Sequence, residues 1–239
     1  MANEERLDKF ISNQMQISRN ETKNFIRKGT VTVNDKVVRS SDEKINPESD
    51  IVKVNGEAVE YRKFIYLMMN KPQGVVCSTK DGLSPTVLSL VPEKFMRKGL
   101  FPAGRLDKDT EGFVLITDDG ELSHRMLSPK SHVPKLYYCE LEHDGDLSYS
   151  EKFKSGITLK TGENCLPAEL VFEKDMKTAL VTLNEGMFHQ VKKMFEALDN
   201  KVTFLKRIKI GGVELDVNLG KSECREMLHK EVDNLLSKF

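Results

Sequence analysis

Between Leu100 and Thr117 the chain crowds two glycines, two cations and three acids into one short span, Gly104-Arg105-Leu106-Asp107-Lys108-Asp109-Thr110-Glu111-Gly112. Leu100 and Phe101 lead into it, and Phe113-Val114-Leu115-Ile116-Thr117 follows as an apolar run with the length of a buried strand. That much charge cannot enter a core, so it must lie in a turn at the mouth of the strand. A carboxylate held there by a sheet is well placed to act on a ligand. Three uses are open to these acids: chemistry, a metal, or decoration of a loop.

The metal reading is tempting. Asp107-x-Asp109-x-Glu111-Gly112 imitates the first half of a calcium-binding helix-loop-helix loop, with Asp118 near the position of its last ligand. Yet Pro102 and Gly104 stand where the preceding helix should run, so calcium is not expected. The five histidines show no His-x-x-x-His spacing and the four cysteines no Cys-x-x-Cys pair, which leaves no other metal signature. Nor is there a P-loop, a Gly-x-Gly-x-x-Gly or a Gly-x-Ser-x-Gly from which nucleotide or serine-hydrolase chemistry could be argued.

The 239 residues suffice for one large domain, or for a small and a medium one. No apolar run approaches the ~20 residues of a membrane span, and the polar start Met-Ala-Asn-Glu-Glu-Arg does not read as a signal peptide. Scattered cysteines fit reduced thiols, so a cytoplasmic location is expected. With 37 basic against 37 acidic residues, a nucleic-acid partner would have to be met by local basic patches.

Leu7, Phe10, Ile11 and Met15 recur at helical spacing, and Ser18 with Glu21 forms a capping box that opens a second helix ending at Gly29. On that helix Arg19, Lys23 and Arg27 share one face, while Thr22, Phe25 and Ile26 share another. The basic stripe is either a solvated face or a surface that tracks phosphates. Short strands are predicted at Thr30 to Val33, Lys36 to Val38 and Ile51 to Val54, and a charged linker at Glu57 to Lys63. These features place a domain boundary at about residue 60.

Beyond it, strands are predicted from Phe64 to Met69, with Val75 to Cys77 returning as partner, and at Lys135 to Leu141. Further strands are expected at Gly156 to Leu159, Ala168 to Phe172, Ala179 to Leu183 and Val202 to Ile210. Helices are expected after Gly120, from Ser148, around Val191 to Leu198 and near the C-terminus. Strands outnumber helices without βαβ regularity. The fold class is therefore α+β, with a mixed, largely antiparallel sheet flanked by helices.

Several ordered motifs resemble known families. Arg6-Leu7-Asp8-Lys9-Phe10, Ser18-Arg19 and Ile26-Arg27-Lys28-Gly29 look like the small RNA-binding αL module first seen in a ribosomal small-subunit protein. Asn70-Lys71-Pro72-x-Gly74, Gly104-Arg105-Leu106-Asp107-x-x-Thr110-x-Gly112, Lys135-x-Tyr137 and Glu185-Gly186-x-x-His189-Gln190-Val191-Lys192-Lys193-Met194 resemble the successive motifs of pseudouridine synthases. Within that family the similarity is to the branch acting on the ribosomal small subunit. Phe113, Cys139 and Lys193 are mild departures from the usual pattern.

The resemblance implies a catalytic domain over residues 61–239 behind an RNA-binding module over 1–60. It implies isomerisation of a uridine in 16S rRNA, at position 516, on naked RNA or a small-subunit assembly intermediate. It also implies no cofactor, and a monomer is the default. A large-subunit synthase of the same family and a non-catalytic assembly factor are the alternatives. Asp107 is implied to be the nucleophile, Lys192 the cation that keeps it ionised, and Tyr137 the ring beside the base. RNA would be held by Arg105, Arg19, Lys23, Arg27, His189, Gln190 and Lys193, with Lys201, Lys206, Arg207 and Lys209 adding to a phosphate track. Asp109 and Glu111 are expected to serve the loop or the solvent.

Overall fold

A computed structural model describes residues 4–128 and 130–238. The chain divides into two compact units. One holds the chain up to Phe64 together with Lys94–Lys98; the other holds Ile65–Glu93 and everything from Gly99 on.

The first unit is two helices on a small sheet. β1 (Glu5–Arg6) leads into α1 (Leu7–Met15), whose Leu7, Phe10 and Ile11 are buried. α2 (Arg19–Lys28) starts at the Ser18–Glu21 capping box and stops at Gly29, which takes the left-handed conformation at φ +73°. β2 (Val31–Val33) and β3 (Lys36–Val37) meet through Asn34 and Asp35, both left-handed, as a tight hairpin requires. β4 (Lys44–Ile45) pairs with β1, and β5 (Val52–Val54) joins β2 to β6 (Glu57–Ala58).

The stretch read as a linker is thus part of this unit. Glu57 and Ala58 extend the sheet, Val59 and Tyr61 pack on its core, and the Arg62 backbone exchanges two hydrogen bonds with the Gln14 amide. Its charge suggested a free linker, and Glu57, Ala58, Glu60 and Lys63 are indeed exposed, whereas Val59 and Tyr61 are half-buried against the core.

The second unit is built on one broad sheet in the order β11-β12-β10-β13-β9-β7-β15. In chain order these are β7 (Tyr66–Lys71), β8 (Phe101–Ala103), β9 (Glu111–Thr117), β10 (Lys135–Leu141), β11 (Glu169–Phe172), β12 (Thr178–Leu183), β13 (Val202–Ile210), β14 (Val213–Glu214) and β15 (Cys224–Glu226). β8 adds to β9, and β14 adds to β13. Only the β9–β13 pair is parallel, so the sheet is mixed and largely antiparallel, as expected. All seven residues of β9 are buried, which explains its unbroken apolar pattern.

Helices α3 (Gly120–Leu127), α4 (Ser148–Ser155), α5 (Gln190–Glu196) and α6 (His229–Asn234) complete the unit. Leu122 and Met126 of α3 join Phe113, Leu115 and Ile210 in one core. Phe153 of α4 and Phe195 of α5 meet with ring centroids 5.2 Å apart.

Two predicted strands are corrected. β7 pairs with β9 and β15, not with Val75–Cys77. Pro72 offers no N–H to a ladder, and the chain instead turns at Gly74 (φ +83°) to brace the acidic loop. Gly156 to Leu159 closes on itself through one Thr158–Asn164 bridge. Its alternation is real, because Ile157 and Leu159 are buried, but it belongs to a local turn.

Candidate active site

The acidic stretch forms the loop between β8 and β9 and is tied down from beneath. Lys71, fully buried at the end of β7, donates to the carbonyls of Pro72 (3.0 Å), Asp107 (2.9 Å), Lys108 (3.3 Å) and Thr110 (2.8 Å). Gly74 N–H donates to Lys108 O at 2.8 Å, and Leu106 N–H to the Cys77 sulfur at 3.4 Å. These contacts exist because the Asn70–Cys77 segment turns toward the loop. They fix the Asp107 backbone while leaving its carboxylate 24% exposed.

That carboxylate meets two nitrogen-bearing side chains from the start of α5. Lys192 Nζ lies 3.4 Å from Asp107 Oδ2, and His189 Nε2 lies 3.4 Å from Asp107 Oδ1. Lys192 is shared, with its shorter contact, 2.6 Å, to Asp109. Burial works to raise the Asp109 pKa, but the hydrogen bond and charge of Lys192 outweigh it and hold the group below the ordinary carboxylate range.

Asp107 opens on a cavity of about 480 Å³ that is also lined by Arg105, Lys135, Tyr137, Leu183 and Arg207. Lys135 and Tyr137 are two apart on β10 and so face the same way, into the sheet's inner side. Tyr137 is 8% exposed and paired in register with Val181 and Arg207. A carboxylate beside a lysine ammonium, a buried aromatic wall and a cavity of about 480 Å³ can attack and hold a planar heterocycle attached to a sugar.

The sequence matches a family model described as RNA pseudouridylate synthase over residues 65–197, and an S4 domain model over residues 5–52. It is 43% identical to an uncharacterised RNA pseudouridine synthase of Bacillus subtilis, across 95% of this chain and 96% of that one. It is 41% identical to ribosomal small subunit pseudouridine synthase A of Escherichia coli, across 97% of this chain and all of that one. A crystal structure of a pseudouridylate synthase superposes with a TM-score of 0.68 at 40% identity, covering 96% of this chain and 99% of that one. The chain belongs to the RNA pseudouridylate synthase family.

In this synthase the remaining residues singled out from the sequence take varied places. Arg105 is exposed at the pocket rim. His189 takes a left-handed backbone (φ +55°) and stacks on Phe188, ring centroids 3.7 Å apart. Phe188 itself is 71% exposed, and Lys193 Nζ lies 5.3 Å from its ring centroid. On α2 the basic stripe splits: Lys23 and Arg27 line one concavity with Arg39, whereas Arg19 lines another with Lys9, Arg97 and Lys98.

Three assignments change. Gln190 is buried, donates to Glu185 Oε1 at 2.6 Å and accepts from Met187 N–H at 2.9 Å, so its amide holds the loop instead of reaching RNA. Arg207 is only 2% exposed and donates to Phe113 O and Gly104 O, so it leaves the phosphate track and braces the flanks of the loop that carries Asp107. Glu111 is buried and paired with Lys221 at 2.9 Å, and so serves the interior and not the solvent. Of the four acids that mimic a calcium loop, Asp107 and Asp109 share Lys192, Glu111 pairs with Lys221, and Asp118 accepts from Ile65 N–H. Among the described residues no three His, Cys, Asp or Glu side chains gather as a metal site.

Lys71 and Lys135 were quoted within motifs but given no role of their own. Lys71 follows the predicted strand Phe64 to Met69, and Lys135 opens the predicted strand Lys135 to Leu141 on the same face as Tyr137.

Proposed function

We propose that the protein isomerises a uridine of small-subunit ribosomal RNA to pseudouridine, at position 516 of 16S rRNA, with Asp107 as nucleophile. The observation that carries this reading is Asp107 itself: backbone pinned through Lys71, carboxylate against Lys192, and open to a cavity walled by Tyr137. The relative in Escherichia coli named for the ribosomal small subunit supports the choice of RNA.

The reaction exchanges one bond for another without an external group. The bond from N1 of uracil to C1′ of ribose breaks, its electron pair leaving with the base. Asp107 meets the electron demand at C1′, by bonding to it or by taking a proton from C2′. The base turns within the pocket and C5 bonds to C1′, displacing Asp107 or with the proton returned to C2′; the C5 proton is then lost to solvent and N1 takes one up. Lys192 sets its ammonium 3.4 Å from the Asp107 carboxylate and Tyr137 walls the pocket in which the base turns. The uridine must first leave its stack, at a cost of a few kcal/mol. Arg105 at the rim and the cations of the first unit offset that cost through phosphate contacts.

Release of tritium from 5-tritiated uridine in 16S rRNA or small-subunit particles tests the reading, with Asp107→Ala as control. Wild-type protein should release label and the variant should not. Equal release from both would end the assignment of Asp107. Release only from large-subunit RNA would keep the chemistry and move the substrate, and binding without release from any rRNA would favour an assembly factor.

A further inference from the structure

Two cations on the inner face of the sheet line the uridine pocket, and they are not equivalent. The Arg207 guanidinium is spent on Phe113 O and Gly104 O. Lys135 is 93% buried by the complement of its 7% exposure, yet among the described residues its ammonium has neither an ion pair nor a hydrogen-bond acceptor. The acids of the pocket are engaged elsewhere: Asp107 with Lys192 and His189, Glu185 with Gln190 and the Leu166 N–H. An ammonium largely withdrawn from water, opening only on the cavity and without a protein partner, costs stability, and the neighbouring Arg207 adds to the cost. Burial, with Arg207 second, brings the Lys135 pKa down to about 8. Nothing in the fold gains from a lysine at this point.

The reaction does. When N1–C1′ breaks, the electron pair goes to uracil, whose negative charge spreads from N1 onto the carbonyl oxygens. A cation fixed in the pocket wall before the reaction starts stabilises that charge as it develops. We propose that Lys135 donates a hydrogen bond to a carbonyl oxygen of the departing uracil and so acts as its oxyanion partner. This deepens the pseudouridine synthase reading and rests on it. Lys135 transfers no proton overall. The bond to C1′ is remade from C5, which consumes the uracil charge; the C5 proton is then lost while N1 gains one, and the ammonium returns to its starting state.

The test compares wild type with Lys135→Met in single-turnover reactions, on RNA carrying uridine and on the same RNA carrying 5-fluorouridine. Fluorine makes the base a better leaving group, so less help is needed from the lysine. Loss of one such donor should slow cleavage of the uridine bond about 100- to 1000-fold, in kcat and not in RNA affinity. The loss should shrink to about tenfold or less on 5-fluorouridine. The thermal midpoint of Lys135→Met should match or exceed that of wild type, since no partner is left behind. Three results would each overturn the proposal: a rate within about threefold of wild type, an equal loss on both substrates, or a loss carried by RNA affinity. A wild-type protein inactive on every rRNA would remove the underlying reading as well. Wild-type activity with an unaffected variant removes Lys135 alone.

Discussion

Replacing Lys71 by methionine keeps the volume of the side chain and removes its charge. The ammonium supports four carbonyls, three of them in the Asp107 loop. Two keep a second donor: Asp107 O accepts from Thr110 N–H at 3.2 Å, and Lys108 O from Gly74 N–H at 2.8 Å. The loss therefore falls mainly on Pro72 O and Thr110 O. Hydrogen bonds from a charged donor contribute about 1.5–3 kcal/mol each, so about 3–6 kcal/mol is at stake. Burial works against the charge, and desolvation is the main cause of the lowered Lys71 pKa. A net destabilisation of about 2–4 kcal/mol follows.

Urea unfolding followed by tyrosine fluorescence suits this measurement, since four of the five tyrosines lie in the larger unit. The midpoint should fall by about 1–2 M. Activity should fall further than stability, because a displacement of about 1 Å at Asp107, the proposed nucleophile, costs about 100-fold in rate. Lys71→Arg keeps the charge but presents a planar fork to acceptors arranged around a point, so it should not restore the rate. If Lys71→Met unfolds within about 0.3 M of wild type and turns over within about threefold, the loop is not held as described.

Four further outcomes are expected. In Gly112→Ala the new Cβ would lie 2.2 Å from the backbone oxygen of Arg207, at φ +104°, so a loss above about 3 kcal/mol should appear in urea unfolding. Arg19→Glu/Arg27→Glu should weaken RNA binding and reduce the slope of log affinity against log salt by about 1–2, as measured by filter binding across salt concentrations. For Lys135 the folded pKa of about 8 lies below the unfolded value, so between the two the unfolded chain binds more protons and stability rises with pH. Urea midpoints across that alkaline window should therefore rise more steeply for wild type than for Lys135→Met, by at most about 1.4 kcal/mol per pH unit. Phe188→Ala removes an exposed ring at the pocket and should lower affinity for single-stranded uridine-bearing RNA by about 1–3 kcal/mol, with Phe188→Tyr close to wild type.

What the sequence disclosed, and what it hid, follows from which interactions are local. The capping box at Ser18 and the hairpin at Asn34–Asp35 are decided within four residues, and both stand where expected. Pairing of β7 was misread because it depends on β9, some 45 residues on, whereas the nearer Val75–Cys77 segment is diverted by contacts to the Asp107 loop. In the site, Asp107, Tyr137 and Lys192 were legible only as parts of motifs; periodicity says nothing about an acid in a turn.

The buried cations are the more instructive miss, because their signal was present. On β13 Leu205 and Arg207 are buried while the alternating Phe204 and Lys206 are only half-buried, and on β10 Lys135 shares the inner face with Tyr137, Cys139 and Leu141. Counting charges merged Arg207 with Lys201, Lys206 and Lys209 into one basic patch. Following the period of two along the strands would have set Arg207 and Lys135 inside, next to the acidic loop. A cation on the inner face of a central strand must find carbonyls, a carboxylate or a ligand. Lys71 and Arg207 have found carbonyls of the Asp107 loop and its flanks, and Lys192 has found carboxylates. Lys135 alone of these four has none of them, which leaves the substrate.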